Sequence, residues 1–291
     1  MSARFGCVVL TAGRRPEDLR LALDSLLAQR DVELDVVVVG NGWQPTGLPD
    51  GVGALHLPEN VGIPAGRNAG VPAVAGELLL FLDDDASLPD PRALRRIAGE
   101  FARDPRLGAL QPRVVPRGGG RPLREWVPRL RAGDPGRSSD VTALWEGAVT
   151  IRRALFETVG GWPEEFGMVH EGVDLAWRVL DSGHAVRYLG DVAVLHPLPP
   201  PSNRPARHGY SHYMGARNRV LLARRYLPLP LGALYVASFA LRQLPRMRSA
   251  GDAGRALRGY RDGMRAPAGP ARKLRSSTLW RMTKAGRPPV I

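Results

Sequence analysis

The chain has 291 residues, of which 44% are hydrophobic and 24% are charged, and this composition excludes a mainly disordered protein. Its one cysteine, Cys7, excludes an internal disulfide and any multi-cysteine zinc site, and it fits a reducing compartment. Residues 1–203 hold 22 basic and 26 acidic side chains, a net charge of −4, whereas residues 204–291 hold 19 basic and 2 acidic, a net charge of +17. The overall charge of +13 therefore comes from the second segment.

The first 110 residues alternate between strand-like and helix-like patterns. Runs of β-branched apolar residues predict strands, and apolar residues at three- and four-residue spacing predict helices. In chain order the predicted elements are strand 5–10, a helix from Pro16, strands 34–39 and 52–57, helix 64–75, strand 77–82 and helix 91–102. This order predicts an α/β fold with a mostly parallel central sheet flanked by helices.

Beyond residue 105 the pattern changes. The predicted elements are strand 108–115, a long loop 116–140, strand 144–151 with a short helix to Val159, helix 171–181, and strands 185–189 and 192–195. Prolines from Pro197 to Pro205 mark a linker. We therefore predict one domain over 1–203, followed by a basic, mainly helical extension over 204–291. Its last part, 266–291, fits a disordered segment.

Three consecutive carboxylates, Asp83-Asp84-Asp85, directly follow the apolar strand 77–82. Ligands of open α/β sheets bind at the carboxyl ends of strands. Three adjacent carboxylates repel one another unless water or a cation neutralises them, and their oxygens are the ligands that Mg²⁺ and Mn²⁺ prefer. The alternative is an acidic turn that caps the helix at Pro91 and binds nothing.

An ordered series of motifs over about residues 5–196 resembles the family 2 glycosyltransferases, which have the GT-A nucleotide-sugar fold. The motifs are Val8-Val9-Leu10-Thr11, Ser25-Leu26-Leu27-Ala28-Gln29, Asn60-Val61-Gly62, Ala65-Gly66-Arg67-Asn68-Ala69-Gly70, Phe81-Leu82-Asp83-Asp84-Asp85, Val159-Gly160-Gly161-Trp162, Glu171-Gly172-Val173-Asp174-Leu175-Ala176-Trp177-Arg178 and His196. The resemblance implies that 1–203 is a GT-A catalytic domain, with a nucleotide-sugar-binding half over 1–110 and an acceptor half over 111–203.

The resemblance also implies a metal site on the donor diphosphate. Asp85 matches the direct ligand of a divalent cation, Mn²⁺ or Mg²⁺, with Asp83 as a further candidate ligand, and Asp83 or Asp84 matches the residue near the ribose and base. His196 matches a histidine that completes the metal site in related enzymes, and a neutral imidazole is a better ligand for Mn²⁺ than for Mg²⁺. The alternative for His196 is a structural histidine at the domain edge.

Donor recognition is expected from other parts of the first half. Arg67 and Asn68 lie between glycines that allow close backbone approach, and an arginine there suits a phosphate; the alternative is an exposed helical arginine. Thr11 and Ala12, at the end of the first strand, are placed to contact the base. Related enzymes often carry an acidic base contact after the second strand, but here Gly40-Asn41-Gly42-Trp43 follows. That departure leaves base recognition to Asn41, to backbone groups or to an aspartate of the cluster.

An inverting transfer needs a base that takes the proton of the acceptor hydroxyl. The family usually places it in an acidic pair at a helix start, but here Glu171 is followed by Gly172. We favour Glu171 as the base, with Asp174 second and His170 third. The alternative is that these acids only favour the helix dipole.

Aromatic and acidic residues of the second half are candidates for the acceptor side. Trp145, Glu146 and Trp126 fit this role because sugars stack on indole rings, and the alternative is ordinary packing.

The extension contains an uncharged run, 226–241, flanked by Arg224, Arg225 and Arg242. As a helix it would span roughly 24 Å, short of the ~30 Å hydrocarbon core of a bilayer. The pattern suits peripheral contact with a membrane surface, with arginines facing lipid phosphates. The alternative is a helical hairpin packed on the catalytic domain. Nucleic acid is not an expected partner, because no recognition module is present in the sequence pattern.

These observations predict a metal-dependent inverting glycosyltransferase that uses a nucleotide diphosphate sugar and a hydroxyl acceptor, lipid-linked or part of a glycan. We expect it in the cytoplasm, peripheral on the inner face of the membrane, in cell-envelope or other glycan biosynthesis. One alternative is a non-catalytic nucleotide-sugar-binding protein, because the acidic pair is broken. The other is a sugar nucleotidyltransferase, for which Thr11-Ala12-Gly13-Arg14-Arg15 would be the phosphate loop.

Overall fold

A computed structural model describes residues 2–198, 204–267, 269 and 272–289. The predicted boundary at residue 203 and the centre of the predicted linker, 199–203, lie outside the described residues. The strands are β1 Arg4–Thr11, β2 Glu33–Asn41, β3 Val52–Leu57, β4 Leu78–Asp83, β5 Leu107–Pro116, β6 Ser139–Asp140, β7 Ala148–Arg152 and β8 Ala185–His196. The helices are α1 Pro16–Leu27, α2 Ile63–Gly70, α3 Ala93–Arg103, α4 Arg153–Val159, α5 Glu171–Asp181, α6 Arg204–Tyr226, α7 Leu229–Gln243, α8 Ala250–Arg265 and α9 Ser276–Lys284.

The eight strands form a single sheet in the order β3-β2-β1-β4-β7-β5-β8-β6. The first four strands pair in parallel, and β5 and β8 are also parallel. Strand β7 runs antiparallel between β4 and β5, and the short β6 is antiparallel to β8. The predicted α/β fold with a mostly parallel sheet is therefore confirmed, and the parallel half aligns the carboxyl ends of β1, β2 and β4 at one edge.

Two predicted boundaries in the second half were wrong. The predicted strands 185–189 and 192–195 form one strand, β8, which pairs with β5 across a bulge where Leu189 faces Pro112 and Ala193 faces Arg113. Gly190-Asp191, which has the composition of a turn, instead forms this bulge. The predicted strand 144–151 begins only at Ala148, since residues 144–147 form a loop that leads into the candidate site.

Each face of the sheet has its own hydrophobic core. On β1 the side chains alternate, so that Cys7 and Val9 pack with α1 and α3 on one face, and Val8 packs on the other with α4 and α5. The second core also contains Leu221 and Tyr226 of α6 and Met282 of α9. Residues on both sides of the predicted boundary therefore share one core.

The extension is ordered over much of the segment for which we expected disorder. Within 266–291, residues 276–284 form helix α9, and Met282 is fully buried. Two groups of this segment donate hydrogen bonds to Asp181 Oδ1 at the end of α5: Thr278 Oγ1 at 2.7 Å and the Arg275 N–H at 3.0 Å. Positions 268, 270, 271, 290 and 291 lie outside the described residues.

The uncharged run 226–241 contributes most of α7. One side of this helix packs against α6 and buries Gly232 and Tyr235, as the hairpin alternative predicted. The opposite side is exposed and apolar, with Leu234 52% and Leu241 67% exposed. Among the described residues, the structure contains no helix with both the length and the apolar character needed to cross a membrane.

Candidate active site

The acidic cluster lies at the carboxyl edge of the sheet, where β4 pairs with β1 and Asp83 faces Leu10. The Thr11 hydroxyl donates to Asp84 Oδ2 at 2.6 Å and accepts from the Gly13 N–H at 3.0 Å. Burial raises the pKa of Asp84 to about 6, although Thr11 and the Arg15 guanidinium act in the opposite direction. Thr11 is therefore a positioning group for Asp84. Ala12 follows it, half-buried, at the end of β1.

Asp83, Asp85 and His196 form a group whose potential ligand atoms all lie within 4.8 Å of one another. The Nε2 atom of His196 lies 3.0 Å from Asp85 Oδ1 and 3.8 Å from Asp83 Oδ2. The two backbone hydrogen bonds between Ser87 and Leu195 hold the end of β8 beside the aspartates. The fold thus brings His196, which is distant in the sequence, to the two aspartates.

The His196 ring is oriented by a hydrogen bond on its other nitrogen. Nδ1 lies 2.8 Å from the carbonyl oxygen of Pro197, which only accepts, so Nδ1 donates and Nε2 faces the carboxylates. Burial alone would lower the pKa of His196, but the hydrogen bonds and charges of Asp83 and Asp85 outweigh it and raise the pKa to about 9. The two aspartates therefore favour positive charge at Nε2. Two carboxylates and an imidazole fit a divalent cation, and the imidazole favours Mn²⁺ over Mg²⁺.

Arg67 is a buried component of the same cluster, only 3% exposed. Its Nη2 donates to Asp83 Oδ1 at 2.6 Å, its guanidinium lies 5.2 Å from the centre of the Trp162 ring, and its buried Nη1 has no hydrogen-bond partner. Burial acts to raise the pKa of Asp83, but the charges of Arg67 and His196 outweigh it and hold that pKa well below its usual range. The alternative of an exposed helical arginine was wrong.

Asn41 and Asn68 use their amide groups within the protein. Asn41 accepts from the Val61 N–H at 2.9 Å and donates to Asn60 Oδ1 at 3.0 Å, so it fixes the loop before α2. Asn68 bonds both the N–H and the carbonyl of Trp162, each at 2.9 Å. These contacts favour positioning roles for both asparagines over the donor contacts that the sequence predicted.

The predicted acceptor-side aromatics surround His196. The ring centres of Trp126 and Trp145 lie 5.5 Å and 5.1 Å from that of His196. The buried Gln111 donates to the Trp126 carbonyl at 2.8 Å and accepts from the Trp145 N–H at 2.7 Å. Trp126 is 2% exposed, so its contacts are those of ordinary packing, whereas Trp145 is half-buried.

The two favoured base candidates on α5 have different surroundings. Asp174 is 1% exposed, binds Arg178 Nε at 2.7 Å, and accepts from the Tyr226 hydroxyl at 2.6 Å. Its oxygens are fully engaged between α5 and α6, which favours a structural role and argues against Asp174 as the base. Glu171 is 3% exposed, and its Oε2 has no hydrogen-bond partner.

A second carboxylate, Glu146, lies beside Glu171. Its Oε1 accepts from the Gly172 N–H at 2.7 Å. Burial, and then the charge of Glu146, raise the pKa of Glu171 to about 8, and burial also raises the pKa of Glu146. The pair therefore holds a proton to higher pH than separate carboxylates would. His170 has a left-handed backbone (φ 72°), and burial followed by the charge of Arg219 lowers its pKa to about 3.

Sequence reasoning missed two arginines at the acidic cluster. Arg15 pairs with both Asp84 and Asp85, and Arg117 donates to the Asp85 carbonyl at 2.7 Å. The signal for Arg15 was its position four residues after Thr11, just beyond the carboxyl end of β1. Arg117 follows β5 directly, but only the fold brings that strand end to Asp85.

The order of these elements and their acidic cluster match one known family. The sequence profile of glycosyl transferase family 2 matches residues 7–160, more than half of the chain. The chain belongs to glycosyltransferase family 2. Pre-mycofactocin glycosyltransferase of Mycobacterium tuberculosis is 30% identical over 212 residues, which cover 67% of this chain and 43% of that protein. The O-antigen biosynthesis protein RfbC of Myxococcus xanthus is 28% identical over 215 residues, which cover 62% and 16%. This family 2 chain thus spans less than half the length of these curated relatives.

Solved structures confirm the GT-A fold. Mannosyltransferase PcManGT from Pyrobaculum calidifontis, solved with GDP-Man and Mn²⁺, has a TM-score of 0.56 at 17% identity, covering 98% of this chain and 73% of that chain. S. aureus TarS 1–349 in complex with UDP-GlcNAc has a TM-score of 0.61 at 17% identity, covering 90% and 81%.

Proposed function

We propose that this family 2 chain transfers a sugar from a nucleotide diphosphate sugar to a hydroxyl group, with inversion at the anomeric carbon. The observation that carries the proposal is the convergence of Asp83, Asp85 and His196 at the carboxyl edge of a GT-A sheet. Three buried or half-buried ligands of this kind suit a divalent cation. Solved neighbours hold GDP-Man and Mn²⁺ or UDP-GlcNAc, which supports a donor of this class.

The residues around the cluster have separable tasks in this reaction. Asp83, Asp85 and His196 would hold the cation, which when bound stabilises the negative charge that develops on the leaving diphosphate. Thr11 and Arg15 orient Asp84 and Asp85. Arg67 fixes Asp83 and keeps one unpartnered N–H inside the site, where an anionic oxygen of the donor would satisfy it.

A thermal-shift screen tests the donor and cation assignments together. The screen compares UDP, GDP and their sugars with Mn²⁺, with Mg²⁺ and with a chelator. A ligand that binds only the folded state raises the melting temperature, and we expect a shift for at least one nucleotide that depends on the cation. The matched variant, Asp85→Asn, should lose the cation-dependent part of the shift. A shift that is equal in chelator and in the variant would contradict the metal assignment.

Inversion is tested on the product. A donor with an α-linked sugar should give a β-linked product, which the anomeric coupling constant in a proton NMR spectrum distinguishes from retention. Cation-dependent donor binding without any transfer or hydrolysis would instead favour a non-catalytic nucleotide-sugar-binding protein. Pyrophosphate release from a sugar 1-phosphate and a nucleoside triphosphate would favour a nucleotidyltransferase.

We also propose that the extension contacts an anionic membrane surface through α7. The exposed side of this helix and of the turn after it is apolar, and it includes Leu234, Leu241 and Leu244, each more than half exposed. Exposed arginines follow directly at Arg246 and Arg248, within a segment of net charge +17. An apolar face bordered by arginines suits insertion at the headgroup level of anionic lipids. This geometry supports a lipid-linked or envelope glycan as acceptor. The similarity to RfbC, which is named as an O-antigen biosynthesis protein, supports the same class of acceptor.

Vesicle flotation tests this contact. We expect binding to vesicles that contain phosphatidylglycerol and little binding to pure phosphatidylcholine. The Leu234→Glu/Leu241→Glu variant should bind at least about tenfold more weakly, because each leucine contributes about 1.5–3 kcal/mol when buried. Leu21→Glu, at an exposed leucine of α1, is the matched control and should bind like the wild type. Equal binding by all three proteins would contradict the assignment of this face.

A further inference from the structure

Position 172, at the start of α5, has no room for a side chain. A Cβ built on Gly172 would lie 2.4 Å from the carbonyl oxygen of Leu144 and 2.7 Å from Oε1 of Glu146. Gly172 is not among the residues with a left-handed backbone, so space, not backbone conformation, requires glycine here. The loop 144–147 therefore fills the volume that an acidic side chain at position 172 would occupy.

The carboxylate of Glu146 is the group that fills this volume. It accepts from the Gly172 N–H at 2.7 Å, at a helix N-terminus whose free N–H groups and dipole favour an anion. The next residue, Gly147, packs directly on the metal corner: its carbonyl accepts from the Asp83 N–H at 2.9 Å, and a Cβ there would lie 2.6 Å from Asp83 Oδ2. Glu146 thus lies between the start of α5 and the proposed donor site.

Solvent access separates Glu146 from Glu171. Glu171 is 3% exposed and its Oε2 is buried without a hydrogen-bond partner, whereas Glu146 is half-buried. A base must touch the hydroxyl from which it takes the proton. Of these two residues Glu146 is the more exposed, so an incoming acceptor reaches it more readily. The charge of Glu146 acts on the buried Glu171, so the two carboxyl groups lie close together.

We propose that Glu146 supplies the carboxylate that position 172 lacks and is the general base of the transfer, with Glu171 as its positioning residue. This inference rests on the proposed function. The Glu146 carboxylate takes the proton of the acceptor hydroxyl while the hydroxyl oxygen forms a bond to the anomeric carbon. The bond from that carbon to the β-phosphate oxygen breaks, and its electron pair leaves with the nucleoside diphosphate. The protonated Glu146 then returns its proton to solvent.

The first test separates chemistry from donor binding. Wild type, Glu146→Gln and the exposed control Glu125→Gln are assayed with UDP-GlcNAc and GDP-mannose in the presence of Mn²⁺, with water as acceptor, and the binding of UDP and GDP is measured by calorimetry. We expect Glu146→Gln to lower the hydrolysis rate at least 100-fold, the usual scale for a lost general base, with the dissociation constants within threefold of wild type. The control should match wild type in both.

The outcomes distinguish this inference from the proposed function. A Glu146→Gln variant with wild-type hydrolysis would overturn the base assignment and leave the proposed function intact. A wild type that binds donor but hydrolyses none at high enzyme concentration would overturn both the base assignment and the proposed transfer, and would indicate a non-catalytic protein. A wild type that binds neither nucleotide would overturn the proposed function itself.

A double variant that moves the carboxylate from position 146 to position 172 tests whether Glu146 replaces an acid at position 172. Gly172→Asp alone should be inactive, because its side chain collides with Glu146. In a Glu146→Gly/Gly172→Asp variant the new carboxylate has that space, and we expect at least tenfold more hydrolysis than with Glu146→Gly alone. If the double variant folds but hydrolyses the donor no faster than Glu146→Gly, the claim that Glu146 replaces an acid at position 172 is wrong.

A purely structural role of Glu171 would leave the pH dependence of the hydrolysis rate unchanged, so the pH–rate profile tests its positioning role. Glu171→Gln should keep the hydrolysis rate within tenfold of wild type at pH 7, where Glu171 is protonated, but its pH–rate profile should lose the change near pH 8 that accompanies the ionisation of Glu171 beside Glu146. Arg67 and Asp83 are the other charged groups that act on the pair, and the variant leaves both unchanged. An unchanged profile would overturn the positioning role.

Discussion

The buried Glu171 makes a prediction about stability that is independent of catalysis. Its side chain is 3% exposed and its pKa is raised from 4.5 to about 8 by burial and by Glu146. Between these two values the folded protein holds a proton that the unfolded chain has released. The free energy of unfolding therefore falls as the pH rises through this window, by about 1.4 kcal/mol per pH unit for one full proton. Below pH 4.5 both states are protonated, and this contribution is fully present.

Glu171→Gln removes this titration while keeping the shape of the side chain. From pH 5 to pH 7, we expect the stability of the variant relative to wild type to rise by roughly 3 kcal/mol, two pH units at the same slope. Guanidinium unfolding followed by tryptophan fluorescence at pH 5, 6 and 7 measures the difference. Glu157→Gln, at a 57% exposed glutamate of α4, is the control, and its difference should not change with pH. A Glu171→Gln difference that is constant or falls with pH would refute the reasoning.

Three further predictions concern the contacts between the extension and the rest of the chain. Tyr226→Phe removes the 2.6 Å hydrogen bond to Asp174 and should lower the free energy of unfolding by about 1.5–3 kcal/mol, whereas Tyr210→Phe, at an exposed tyrosine, should change it by less than about 0.5 kcal/mol. Asn218→Ala removes the amide group that donates to the carbonyls of Phe166, Met168 and Val169, and it should cost at least about 2 kcal/mol in denaturant unfolding. Met282→Ala, at a fully buried position of α9, should cost about 2–5 kcal/mol by the same measurement. Wild-type stability in any of the three would argue against the corresponding contact.

Local sequence patterns were sufficient for the strands of the parallel half, although helix α2 ends at Gly70 and not at the predicted residue 75. Strand β3 and helix α5 have the predicted ends, and β1, β2 and β4 differ by one or two residues at each end, because buried strands and amphipathic helices have strong periodicity. The acidic cluster was predictable for the same reason, since it directly follows a strand that is apolar throughout. The motif order added His196, which no local pattern would have connected to Asp85.

The remaining features depend on contacts between distant residues. Glu146 was placed on the acceptor side, but its hydrogen bond to Gly172 joins positions 26 residues apart and is visible only in the fold. Asp174 has the position of an acid in the first turn of a helix, and only the fold shows that the Tyr226 hydroxyl of α6 binds it. Residues 185–196 were divided in two, because a bulge at Gly190 has the same composition as a turn.

The central claim is that Asp83, Asp85 and His196 hold a cation that binds the diphosphate of the donor. A crystal of the protein grown with Mn²⁺ and either UDP or GDP tests it through the anomalous scattering of manganese. We expect an anomalous peak within about 2.2 Å of an Asp85 oxygen and of His196 Nε2, with the nucleotide phosphates on its other side. Manganese and nucleotide bound in another pocket, with neither of them beside Asp83, Asp85 and His196, would contradict this claim.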